Sequence, residues 1–271
     1  MDLDAFIDAM DACGVRAVCI CAGAGLILEE ASRADGVRRA NAVLAEACAR
    51  HPGRWFAYLL VHPTVVDEAL RLIATHAGDP HVIGVGELLP TGHFRGHACD
   101  LPAMREIAML AGDHGLPLNI HTGDAASLGQ VEWLIRAAPR TTVILAHAAG
   151  AMVAQGLKLL MAHERIWMDL SAHGWKPGIR KPLLAYTDKR RFLFGSDVPI
   201  FHRRSAVEAF AGMRFAPEDY ARIASLNAET LFPKLTSSRS HPWTTPSLAR
   251  SIRTSTSSRR RGRPHTAHPR R

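Results

Sequence analysis

The chain has 271 residues, 47% of them apolar and 6% aromatic, which is long enough for one large α/β barrel or two small domains around a real core. The formal charge of +8 suggests nucleic acid until it is located. Nine of the 33 Arg and Lys lie in residues 236–271, where there is no Asp or Glu, so the first 235 residues carry 24 basic against 25 acidic side chains. The body is nearly neutral, and its charge points to no nucleic-acid partner.

The five cysteines (13, 19, 21, 48 and 99) form no CxxC pair and are odd in number, so neither a disulfide framework nor a zinc knuckle is expected. Cys19 and Cys21 alternate within an apolar run and are expected to share one face as small buried residues. The N-terminus MDLDAFIDAM is acidic and lacks the apolar core of a signal peptide. No run approaches the ~20 apolar residues that cross a bilayer. A cytoplasmic protein without membrane partners is the expectation.

In chain order, a helix over 3–13 comes first, with Leu3, Phe6, Ile7 and Met10 on one side. Seven short apolar runs follow: VRAVCIC (15–21), RWFAYLLV (54–61), HVIGVGEL (81–88), LPLNIH (116–121), TTVILAH (141–147), RIWMDL (165–170) and RFLFG (191–195). Between them lie segments of helical period. Residues 36–50 carry Val37, Ala40, Val43, Leu44, Ala47 and Cys48 on one face, and 64–76 carry Val66, Ala69, Leu70 and Ile73; 101–114 and 128–137 behave alike. The runs are continuous rather than alternating, as in parallel strands covered on both faces. Alternating βα units imply a parallel sheet, either open with seven strands or a (β/α)8 TIM-like barrel missing strand 1. Helices near 204–213 and 217–227 and the segment NAETLF (227–232) end the fold. Residues 1–234 are expected to be the barrel. Residues 235–271, rich in Ser, Arg and Pro, are expected to be a disordered tail with no specific nucleic-acid role.

Reactive groups in parallel α/β folds gather at the C-terminal ends of the strands. Here six successive strands each deliver a His or a carboxylate at that end: His62, Glu87, His121, His147, Asp169 and Asp197. Nitrogen and carboxylate donors on one rim suit a divalent metal, with Zn²⁺ the usual choice, and a metal-bound water would supply hydroxide near neutral pH. Glu87 lies inside an apolar run, where an unpaired carboxylate is costly. His121 is read as a ligand, although it could cap the next helix. His147 is either functional or a satisfied core histidine. His62 is expected to shape a strand exit, Asp169 to anchor its loop, and His173 to be near substrate or incidental. Asp197 is either an N-cap or a reactive group.

The ordered segments NIHTGD, ILAHAAG, LFGSDVP and NAETLF resemble the amidohydrolase superfamily, in its amidohydrolase-related branch, over roughly residues 1–234. The resemblance implies a distorted (β/α)8 barrel with a metal at its mouth. It makes His121 the strand-five ligand, His147 the strand-six histidine that binds or activates, Asp197 the strand-eight aspartate that holds metal and takes a proton, and Glu87 the strand-four carboxylate. The His-x-His pair of that family's first strand does not occur in these residues and would precede Met1.

The leading expectation is a metal-dependent hydrolase that uses metal-activated water on a C–N or C–O bond of a small molecule. Asp197 and His147 would be catalytic, and Glu87, His121 and Asp197 would hold the metal. A non-oxidative decarboxylase on the same site and a truncated, non-catalytic barrel are the alternatives. Unpaired strand edges would favour a homo-oligomer.

Overall fold

The structure is a computed structural model and describes residues 3–22, 33–90, 98–172, 176–198 and 203–237. His173, the tail beyond 237 and parts of the loops 89–100 and 171–182 lie outside these residues.

After helix α1 (Leu3–Ala12), seven parallel strands succeed one another as neighbours: β1 (Val18–Ile20), β2 (Trp55–Leu59), β3 (Val82–Leu88), β4 (Leu118–Ile120), β5 (Val143–Leu145), β6 (Ile166–Asp169) and β7 (Phe192–Leu193). Every pairing is parallel, and each strand falls inside the apolar run that predicts it. Helices alternate with them: α2 (Arg33–Arg50), α3 (Val66–His76), α4 (Pro102–Asp113), α5 (Ala125–Ala137), α6 (Val153–Ala162) and α7 (Pro177–Ala185). This is a (β/α)8-type barrel with seven strands among the described residues, and β1 and β7 are the two ends of its strand order.

Burial is nearly continuous along β2 to β7 because both faces are covered, whereas β1 is only partly buried. β2 is buried at all five positions, and β3 at every position but Glu87. One face packs against the helices through Ile73, Val85, Ile107, Leu118, Val131 and Leu145. The other holds Phe56, Tyr58, Ile83, Ile144 and Leu193 with Phe232 and Leu235 of the C-terminal segment.

That C-terminal segment closes the end of the barrel where strands begin. After α8 (Arg203–Ala211) come α9 (Pro217–Ala221), a π-helical turn (Arg222–Leu226), α10 (Asn227–Leu231) and α11 (Lys234–Ser237). Lys234 Nζ donates to the carbonyls of Ala77, Asp79 and Val82 at 2.7–2.8 Å, ahead of β3. The amide of Asn227, first residue of NAETLF, donates to the carbonyls of Lys189 and Phe192 at 2.7 Å, fastening β7. With one end closed, the C-terminal ends of the strands are left as the mouth.

On α2 the apolar stripe differs from expectation. Val43 is 65% exposed, whereas Asn41 is buried. The Asn41 side chain accepts from Leu60 N at 2.9 Å and donates to Leu60 O at 2.8 Å and Val37 O at 3.0 Å, so a polar residue takes the core-facing place and satisfies backbone groups just past β2. Cys19 and Cys21 also differ: both are exposed, on or just after β1, which ends the strand order among the described residues. No described helix is long and apolar enough to cross a membrane.

Replacing Asn41 by Ala leaves the Leu60 N–H and C=O without partners in a buried place. The expected loss is about 2 kcal/mol of unfolding free energy, seen in urea denaturation as a lower midpoint with unchanged slope.

Candidate active site

Glu87 leaves β3 toward the mouth after Gly86, which has φ +142°; a Cβ there would lie 2.5 Å from the Asn119 carbonyl. Only glycine allows β3 and β4 to approach so closely one residue before the carboxylate. The Gly86–Glu87 peptide is cis.

His121 follows β4, and its backbone N–H donates to Leu88 O at 2.9 Å. Asp124 caps α5 with Ser127 in a reciprocal capping box, so capping does not occupy His121. Thr122 Oγ1 donates to Ala146 O at 2.6 Å and ties the exits of β4 and β5 together.

His147 stands in a left-handed turn. His147, Ala148, Ala149 and Gly150 all have φ between 51° and 61°. Each non-glycine residue in that region costs roughly 1–2 kcal/mol, and such runs persist where surrounding contacts over-determine them, commonly at functional sites. The turn follows directly after β5 and turns the His147 ring to the mouth.

These three side chains converge. His121 Nδ1 lies 2.9 Å from Glu87 Oε1, and His147 Nε2 lies 3.1 Å from both Glu87 Oε1 and His121 Nδ1. The imidazole rings meet at 65° with centroids 4.5 Å apart. The three donor atoms all lie within 4.8 Å of one another. Side-chain exposure is 21% for Glu87, 15% for His121 and 6% for His147, so the cluster sits at the mouth and is open enough for a small molecule.

Burial alone pushes the Glu87 carboxyl up, but hydrogen bonds from His121 and His147 and their charges outweigh it and hold it at about 2. Burial likewise pushes His147 down, and the Glu87 hydrogen bond with the charges of Asp169, Glu87 and Asp197 carries it to about 9. Asp197 is raised from its ordinary value chiefly by burial, against the lowering charge of His147, with the charges of Glu87 and Asp169 adding to the rise. Asp197 is half-buried with φ 56°, outside the three-donor group but near enough to feel its charges.

The donor set fits a divalent cation. One carboxylate oxygen and two imidazole nitrogens spaced about 3 Å apart match adjacent positions around an ion with bonds near 2.1 Å. Glu87, His121 and His147 therefore come together as the sequence reading placed them, on one rim, and His147 stands among the donors.

Two other expectations find their places. His62 caps a short 3₁₀ turn (Pro63–Val65), its Nδ1 accepting from Thr64 N at 3.2 Å, so it shapes the strand exit. Asp169 anchors its loop by accepting from Ser171 N at 2.8 Å and His147 N at 3.2 Å. Ser171 carries no distinguishing motif and went unread, although its place two residues after Asp169 puts it on the same side of the strand. Its oxygen meets His147 Nδ1 at 2.8 Å.

A (β/α)8-type barrel with a histidine–carboxylate cluster at its mouth is a fold of metal-dependent enzymes. The chain belongs to the amidohydrolase family, whose model matches residues 9–234. Among solved structures, 2,6-dihydroxybenzoate decarboxylase from Rhizobium is similar at 19% identity, with TM-score 0.72 over 85% of this chain and 88% of that one. A dihydroxybenzoic acid decarboxylase from a Polaromonas species, holding manganese and the inhibitor 2-nitroresorcinol, is 14% identical, with TM-score 0.71 over 85% of each chain. The 5-carboxyvanillate decarboxylase of Sphingomonas paucimobilis is 17% identical, with TM-score 0.68 over 84% and 82%. A search of curated proteins gives no match.

In metal-free protein the Glu87–His147 contact stabilises fully above the ordinary Glu value of 4.5 and below the ordinary His value of 6.5. Its contribution is lost as pH falls toward 2 and as pH rises through 9. Thermal unfolding in chelator should show this contribution at its greatest near about pH 6, and Glu87→Gln should flatten the profile on both sides.

Proposed function

We propose that the protein is a metal-dependent, non-oxidative decarboxylase of a small aromatic carboxylate. The observation that carries this is the three-donor cluster at the mouth with half-buried Asp197 close beside it, in a fold shared with solved decarboxylases. Losing CO₂ requires a proton for the carbon that gives it up, and a carboxyl group beside the donor cluster is placed to relay one. The solved decarboxylases of the same fold support this over the hydrolase expectation.

In this reading Glu87, His121 and His147 Nε2 would hold a divalent ion such as zinc or manganese, the latter present in structural neighbours. The bound ion would neutralise the substrate's negative oxygens and orient the ring. Asp197 donates its proton to the ring carbon bearing the carboxylate. The C–C bond then breaks, its electron pair restores the ring, and CO₂ departs. Asp197, left as a carboxylate, takes a proton back from solvent. The cluster's partial burial limits competing water.

The test is turnover of hydroxylated benzoates in D₂O. The product should carry one deuterium at the vacated carbon, with CO₂ released, and activity should stop in chelator and return with Mn²⁺ or Zn²⁺. Asp197→Asn should lower turnover by about 10²-fold or more while leaving metal content unchanged. Oxygen from labelled water appearing at a cleaved C–N or C–O bond would return the hydrolase reading.

A further inference from the structure

His147 is held from behind as firmly as from in front. Its backbone N–H donates to Asp169 Oδ1 at 3.2 Å, and its Nδ1 meets Ser171 Oγ at 2.8 Å. The Ser171 hydroxyl donates to the same Asp169 oxygen, and the Ser171 backbone N–H does so at 2.8 Å. A hydroxyl has one proton. Since Ser171 gives its proton to a carboxylate, its oxygen can only accept from the ring. Nδ1 of His147 must then carry the hydrogen.

We propose that Ser171 and Asp169 are positioning residues that fix the His147 ring with its Nδ1–H on Ser171, so that Nε2 is the atom presented to Glu87 and His121. His147, Asp169 and Ser171 are 5%, 9% and 5% exposed, so water does not compete for these bonds. Gly195 completes the device. A Cβ there would lie 2.9 Å from Ser171 Cβ and 3.2 Å from Asp169 Oδ1, so the glycine of LFGSDVP leaves room for the pair. A partner on the far nitrogen sets which nitrogen of a metal-binding histidine faces the ion.

The catalytic meaning of this arrangement rests on the proposed function, but the ring's state is measurable without turnover. Proton NMR of ¹⁵N-histidine-labelled protein, metal-free and Zn²⁺-loaded, should show a slowly exchanging Nδ1–H from His147, assigned by its absence in His147→Gln. Its absence from the wild type would overturn the inference outright. In Ser171→Ala the signal should be lost, and calorimetric Mn²⁺ affinity should fall about 10- to 100-fold. Asp169 keeps its two backbone donors in that variant, so the fold should persist. Ser171→Ala that retains both the protected proton and wild-type Mn²⁺ affinity would also overturn it. Wild-type protein that shows the proton yet decarboxylates nothing leaves the positioning pair standing and removes the decarboxylase reading. Turnover with a Ser171→Ala variant unchanged in proton and kcat removes the pair alone.

Discussion

The rest of this molecule is arranged around one carboxylate, Glu87, withdrawn from most solvent and held between two imidazoles. An isolated buried carboxylate is costly, and here that cost is offset by two charge-assisted contacts of 2.9 and 3.1 Å. To make them, three strands must end at the same level and on the same side. β3 supplies Glu87 through a glycine that no other residue could replace without striking Asn119. β4 supplies His121, and β5 supplies His147 through a left-handed turn. The parallel barrel meets that requirement because every strand runs the same way and β3, β4 and β5 are adjacent.

The opposite end of the barrel makes the mouth meaningful. Phe232, Leu235 and the Lys234 ammonium close the side where strands begin, and Asn227 fastens the last strand. Chemistry is thereby confined to one end. There the charges are mutually adjusted: the imidazoles hold Glu87 ionised, while Glu87 and Asp169 work against the ionisation of Asp197. Two carboxyl groups in one site are thereby pushed in opposite directions.

Much of this was legible in the sequence. Continuous apolar runs marked all seven strands, because burial on both faces leaves no alternation to confuse with a helix. The rim residues were legible because each sits within two residues of the C-terminal end of an apolar run, where six successive strands repeat a His or a carboxylate. Val43 and Asn41 were not, since a helical stripe predicts which positions face inward but not that an amide will bond a strand's backbone there. Cys19 and Cys21 are exposed on or just after β1, at the end of the strand order among the described residues, a place that local pattern does not encode. Ser171 was invisible because a serine gains meaning only from the ring that lands on it.

The central claim is that Glu87, His121 and His147 form one divalent-metal centre, and calorimetric titration of metal-free protein with Mn²⁺ in buffers of different ionisation enthalpy tests it most directly. The account predicts a single site whose filling near neutral pH releases about one proton, because His147 must give up the proton that Glu87 and Asp169 hold on it. It also predicts that Glu87→Gln abolishes or greatly weakens that binding. No binding, or binding without proton release that Glu87→Gln leaves unchanged, would contradict it.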